Sequence, residues 1–278
     1  MDFFHGNIPI LETDLPATNL SHPPGATFGM VPRDYSVDPE MMFAQPDQMV
    51  LIPESEWDAR FDEQEATQSS LEHIYLSGPN GTPKFINLDQ GNNGFCWSYS
   101  TAHSIMMDRL KQNLPVIRLS GAATAAIIKG GRNEGGWCGL SAKWARENGY
   151  AIEGTGPGEW PAQSRNLKYD TPQLRAAMSL HKVEEEWTDL TKQVYDQNLT
   201  RAQCATCGFN NIPGPRDYNF WSHSVCGIRW VRIERGSWGQ LILNSWLNWG
   251  RYGLAVLRGS QAICNGGLAI RLSSASAQ

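Results

Sequence analysis

The chain has 278 residues, 41% of them apolar, and a net charge of −5, which suits a folded protein with a sizeable core and not a fibrous or fully disordered one. No run of eighteen apolar residues occurs, which excludes a membrane-spanning helix, and no Lys/Arg cluster with interleaved aromatics marks a nucleic-acid surface. The first ten residues lack a basic, apolar leader, so the six cysteines are expected as free thiols in a reducing compartment, cytoplasmic or inside a viral particle.

Charge divides the chain. Residues 1–72 hold 14 Asp and Glu against 2 Lys and Arg, and residues 73–278 hold 14 against 21, so an acidic arm precedes a mildly basic body. Pro9, Pro16, Pro23, Pro24, Pro32, Pro39, Pro46 and Pro53 forbid long regular elements in the arm. Phe3, Phe4, Phe28, Met30, Met41, Met42 and Phe43 are too many for a bare spacer. The arm is therefore expected to be ordered by docking, in its own cleft or on a partner protein. Trp57 and Phe61, four apart, predict a short acidic helix over 54–68.

After a turn at 78–81, the stretch Gln90-Gly91-Asn92-Asn93-Gly94-Phe95-Cys96-Trp97 leads into a helix. Tyr99, Ala102, Ile105, Met106 and Leu110 recur at three- and four-residue spacing and predict that helix over 96–111. Ser120 caps a helix over 122–129 that stops at Gly130-Gly131, another covers 141–147, and Thr171-Pro172 starts one that runs to about 181. The period then changes. Residues 203–209, 224–233, 240–246, 252–258 and 268–272 read as short strands, so the body is α+β, a helical lobe over about 90–185 followed by an antiparallel β lobe over about 186–275.

Cys96 falls at a helix start, where unpaired N–H groups and the positive end of the macrodipole favour a thiolate. Acyl transfer by a thiol needs a base, and histidine has the suitable pKa. His5 and His22 lie in the arm, His73 precedes the body, His103 is two turns along the helix of Cys96, and His181 ends a polar helix. His223 opens a strand. An asparagine amide oxygen can orient such an imidazole, and Asn244-Ser245-Trp246 offers one.

With Gln90, Gly94, Cys96 and Trp97, the His-small-Val run at 223–225 and the Asn-Ser-Trp triplet at 244–246, the chain resembles papain-like cysteine peptidases over about residues 83–272. The resemblance implies a two-lobed fold with Cys96, His223 and Asn244 as catalytic residues. It also implies an oxyanion hole from the Cys96 N–H and the Gln90 side chain, and a Gly135-Gly136 pair that binds an extended polypeptide substrate. Trp137 and Cys138 would wall a side-chain pocket, and Trp246 would cover the Asn244–His223 bond. Family members usually join the positions of Asn93 and Asn133 by a disulfide, which this chain cannot form. The family has a small residue where Phe95 stands.

Cys204 and Cys207 have the spacing of half a zinc site, but i and i+3 in a strand face opposite ways, so neither metal nor cofactor is expected. The reading is a cysteine peptidase with a polypeptide substrate. The alternatives are a scaffold or virion component that kept the fold, idle or only self-processing, and an acyl transferase.

Overall fold

The computed structural model describes residues 29–31, 33–38, 53–161, 170–183, 187–189, 205–209, 223–233, 238–247, 249–258 and 267–270. The rest of the arm, Cys204 and Cys264 lie outside them. Among the described residues six α-helices come first: α1 Trp57–Thr67, α2 Leu71–Tyr75, α3 Cys96–Lys111, α4 Gly121–Ile128, α5 Cys138–Glu147 and α6 Pro172–Ser179. Six strands follow: β1 Trp187–Asp189, β2 Ala205–Phe209, β3 His223–Arg232, β4 Trp238–Leu243, β5 Leu254–Arg258 and β6 Gly267–Ile270. They form one sheet in the order β1-β6-β2-β3-β4-β5, and every described pairing is antiparallel. The layout is α+β, a helical lobe against an antiparallel β lobe.

Helix α3 is the axis of the core. Its apolar residues at three- and four-residue spacing are buried, and so are Ser98, Ser100, Thr101, His103 and Ser104 between them, because the helix has neighbours all round. The flanking helices begin where hydroxyl caps were expected. Ser120 accepts the Ala123 N–H and Thr171 accepts the Leu174 N–H. Helix α5 begins at Cys138, three residues before the expected start, and α2 and β1 were not expected at all.

The acidic helix expected over 54–68 is α1, and with α2 it packs on strand β3. Trp57 stacks on Trp230 at 5.9 Å and meets Trp238 edge-on at 5.6 Å. Arg229, fully buried, lies over the Phe61 ring and bonds Glu65 at 2.8 Å, the Ser70 hydroxyl at 2.8 Å and Glu72 at 3.4 Å. Arg232 reaches Asp58 and Asp62. The acidic-on-basic contact suggested by the charge count is thus made here, by α1 and α2. The exposed Arg232 pairs contribute little, whereas a buried cation facing carboxylates would be severely destabilising if left alone.

One cation with two carboxylates sets up a proton equilibrium. Burial pushes the Glu72 carboxyl up to about 7, against the pull of Arg229 and with a push from Glu65. A folded pKa above the unfolded one means that this group's contribution is full below about pH 4.5 and is lost as pH rises through about 7, an effect of about 3 kcal/mol. The buried, neutral histidines His103 and His223 contribute with the opposite sign below about pH 6.5, so the Glu72 contribution is read as a difference: in urea unfolding between about pH 5 and 8, Glu72→Gln should gain stability with rising pH relative to the unaltered chain. Equal slopes in both proteins would show that Glu72 does not titrate there.

Candidate active site

The loop before α3 is pinned before the helix starts. The Phe95 carbonyl accepts the N–H groups of Ser98 and Tyr99 at 2.8 and 3.0 Å, which makes Cys96 the first helical residue. The Phe95 ring is fully buried in the core cluster, so its bulk points inward. The Gly94 N–H donates to Asn133 Oδ1 at 2.8 Å. Asn133 therefore ties together the two loops that the resemblance would join by a disulfide, and Cys96, Cys138 and Cys226 are free thiols.

His223 opens β3 and is fully buried. Its Nε2 lies 2.8 Å from Asn244 Oδ1, and the same Oδ1 accepts the Ser245 N–H at 2.8 Å. An atom that accepts a backbone N–H is the amide oxygen, so Nε2 must donate and Nδ1 carries the lone pair. Trp246 stacks on the imidazole at 4.5 Å and 5° and shields that hydrogen bond from water. The backbone of Ser224, next after His223, is among the groups near Cys96 that oppose the rise of its thiol, and the Ser224 hydroxyl lies 2.7 Å from that of Ser100, one turn on in α3. The start of α3 and the start of β3 therefore meet at this point.

Gln90 is buried beside them. Its Nε2 donates to the Asn93 carbonyl at 3.0 Å and its Oε1 accepts the Ser245 hydroxyl. The amide nitrogen has a second proton, and the Gln90 backbone N–H is fixed on the Ser245 carbonyl at 2.8 Å. Loop 90–94 and the Asn244 turn thus hold each other in place.

The arm runs through this site. Val31 donates to the Gly136 carbonyl at 2.9 Å, and the Gly136 N–H donates to the Gly29 carbonyl at 2.8 Å, a parallel bridge centred on Met30. The approach is close: a Cβ on Gly29 would sit 1.8 Å from the Gly94 oxygen, and one on Gly136 would sit 2.8 Å from the Trp97 ring. Beyond the bridge, Arg33 forms an ion pair with Asp189, both largely buried, and its guanidinium lies 4.6 Å from the centre of the Trp137 ring. Trp137 Nε1 donates to Asp38 Oδ2 at 2.6 Å. The arm docks in its own cleft through backbone pairing, the Arg33 cation and a single carboxylate, Asp38.

Burial decides the protonation states. It pushes the Cys96 thiol up to about 11, opposed by the backbone N–H groups of Ser224, Gly29 and Trp97, and it pushes the His223 imidazole down to about 4 against the support of Asn244. With the arm in place both groups are uncharged at neutral pH. His103, too far along α3 to serve, accepts the Leu88 N–H, and burial pushes it down to about 3.

The structure thus gathers Cys96, His223, Asn244, Gln90 and Trp246 in one place, and it brings Gly135, Gly136 and Trp137 against the arm. Cys138 is the buried first residue of α5, its carbonyl accepting the Ser141 hydroxyl at 2.9 Å. Among the described residues no group of three or more His, Cys, Asp or Glu side chains is arranged to hold a metal. Gly29, Arg33, Asp38 and Asn133 were not read from the sequence as site residues. The one available signal was that 25–31 is free of proline and can extend as a strand.

The sequence matches no protein-family model and no curated protein sequence. Solved structures do match. Xylellain, a cysteine protease from Xylella fastidiosa, aligns over 88% of this chain and 96% of its own, with 16% identity and a TM-score of 0.59. Procathepsin B S9 from Trypanosoma congolense aligns over 90% and 84% with 18% identity and a TM-score of 0.52. Bromelain from Ananas comosus, solved with the inhibitor E64, aligns over 68% and 94% with 18% identity and a TM-score of 0.51. The chain has a divergent papain-like fold.

A neutral, covered thiol has a distinct labelling profile. Alkylation of Cys96 by iodoacetamide in the full-length chain should be slow near pH 7 and rise about tenfold per pH unit toward about pH 11, as the thiolate fraction rises. A plateau already reached near pH 6 would mean that the reagent meets a thiolate–imidazolium pair and that Cys96 is not held neutral.

Proposed function

We propose that the chain is a cysteine peptidase that cleaves polypeptides through an acyl-enzyme on Cys96, and that its own arm occupies the cleft at rest. The observation that carries this reading is the fixed tautomer. Asn244 Oδ1, already accepting the Ser245 N–H, takes the Nε2 proton of His223 and leaves the Nδ1 lone pair for a proton from Cys96.

The chemistry follows from these groups. His223 takes the Cys96 proton, and the thiolate attacks the scissile carbonyl. The Cys96 N–H and the Gln90 amide receive the developing oxyanion. The imidazolium returns its proton to the leaving amine, and water then attacks the thioester with the same histidine as base. An extended substrate would take over the pairing with Gly136 now made by residues 29–31.

At Gly29 the arm occupies the cleft by backbone pairing. It offers the sulfur the Gly29 N–H, and the Gly29 carbonyl is turned to the Gly136 N–H.

Gly29→Val tests both halves of the reading in the full-length chain. A side chain at that position has no room beside the Gly94 carbonyl, so the arm should leave the cleft and casein hydrolysis should rise about tenfold or more, the equivalent of losing 1.4 kcal/mol of docking. Cys96→Ala in the same chain should abolish it. A Gly29→Val protein whose Cys96 alkylates freely but which cleaves no unfolded protein would contradict the peptidase reading.

A further inference from the structure

Helix α3 is buried along its length, yet it carries serine where a core helix would ordinarily carry alanine or leucine. Two of these serines face strand β3. The Ser100 hydroxyl lies 2.7 Å from the Ser224 hydroxyl, and the Ser104 hydroxyl lies 3.5 Å from Cys226 Sγ. Both serines of the first contact are about 1% exposed. Four residues of helix rise about 6 Å and two residues of strand about 6.6 Å, so positions 100 and 104 of α3 match positions 224 and 226 of β3 as rungs of one ladder.

The same spacing carried one turn back along α3 arrives at Cys96. On the strand side, Ser224 is the neighbour of His223, and its backbone N–H is among the groups that favour the Cys96 thiolate. One residue therefore carries a side chain that grips α3 one turn past the nucleophile and a backbone dipole that acts on the nucleophile.

We propose that the Ser100–Ser224 hydrogen bond sets the register between α3 and β3, making Ser100 and Ser224 positioning residues for the Cys96–His223 pair. The two elements come from different lobes, and the stretch between them is long. Apolar packing alone permits sliding by fractions of a turn, whereas a buried hydroxyl pair is directional and leaves each partner unsatisfied if the other shifts. The Ser100 hydroxyl also reaches the Trp97 carbonyl at 3.3 Å, and the Ser104 hydroxyl reaches the Ser100 carbonyl at 3.0 Å, so the rungs are anchored in the helix backbone. The inference concerns the geometry of the proposed catalytic pair and rests on that reading for its consequence in catalysis. Its physical content, the environment of the Cys96 sulfur, can be measured without a substrate.

A role in filling the core and a role in positioning differ in sign. If the pair only packs the core, its removal loosens the covered site, and Cys96 alkylates at the same rate or faster. If it holds the Ser224 N–H on the sulfur, its removal makes the thiolate less favourable, and Cys96 alkylates more slowly. The test is iodoacetamide labelling of Cys96 in the full-length chain between about pH 7 and 9, where the rate follows the thiolate fraction.

Ser100→Ala and Ser224→Ala should each lower the whole limb about tenfold, the effect of one pKa unit. The double variant should be no slower than either, because the partners share one bond. Ser224→Thr keeps the hydroxyl and should restore the rate. Ser98→Ala is the control, since it removes a different buried contact of α3, 2.7 Å from the Tyr150 hydroxyl, and should not slow labelling. Ser100→Ala puts the best helix former into a helix and keeps the test open should the strand variant not fold. Unchanged or faster labelling in Ser100→Ala would overturn the proposal. Because labelling needs no peptide, a Gly29→Val chain without peptidase activity would sink the peptidase reading and leave this measurement standing.

Discussion

The site depends on helix α3 lying against strand β3 with the first residues of both at the same end. Cys96 begins the helix, His223 begins the strand, and Ser224 bridges the two elements through its hydroxyl on Ser100. The other parts hold one of these two starts. Asn133 pins the loop ahead of Cys96, and Gln90 locks that loop to the turn at Ser245. Asn244 and Trp246 hold the ring of His223 by its edge and its face. Two elements from different lobes meet only if the core between them is filled to a fixed depth. That explains why α3 is buried on all sides, and why its polar positions are paired with hydroxyls and carbonyls around them.

Two effects compete at Cys96. A helix start favours the thiolate by about 0.3–1 kcal/mol, and by up to about 2 in partly buried settings. Burial raises the thiol from 9 to about 11, worth roughly 3 kcal/mol at about 1.4 per unit. Burial wins while residues 29–31 are seated, so covering the site and uncharging it are one event. Uncovering it reverses the same balance, and the helix start, the Ser224 N–H and the imidazole then act together on an exposed sulfur.

Much of this was legible in the sequence, and the limits have physical causes. Helix α3 is found where the apolar spacing predicts it, and the caps at Ser120 and Thr171 hold because a hydroxyl beside free N–H groups has few other options. Helix α2, at five residues, and strand β1, at three, are too short to show a period and exist through tertiary contact. The charge count anticipates α1 and α2 on β3, through Arg229 and Arg232. It does not anticipate the docking at the cleft, which uses backbone N–H and C=O groups that every residue but proline has, together with Arg33, one of the arm's two basic residues. Ser100 reads as an ordinary polar helix residue until its partner, 124 positions on, is in view.

The arm is thus built into the site through Gly29, for which only a glycine fits, through Arg33 on Asp189 and Trp137, and through Asp38 on the Trp137 indole. The account's central claim is that residues 29–31 pair with Gly136 in the protein in solution. Amide hydrogen exchange at Val31 and Gly136 tests it most directly, since among the described residues both N–H groups are bonded across that bridge. The account predicts that both exchange slowly in the full-length chain and become fast together in Gly29→Val, while the β3–β4 amides stay protected. Fast exchange at Val31 and Gly136 in the unaltered chain would contradict it.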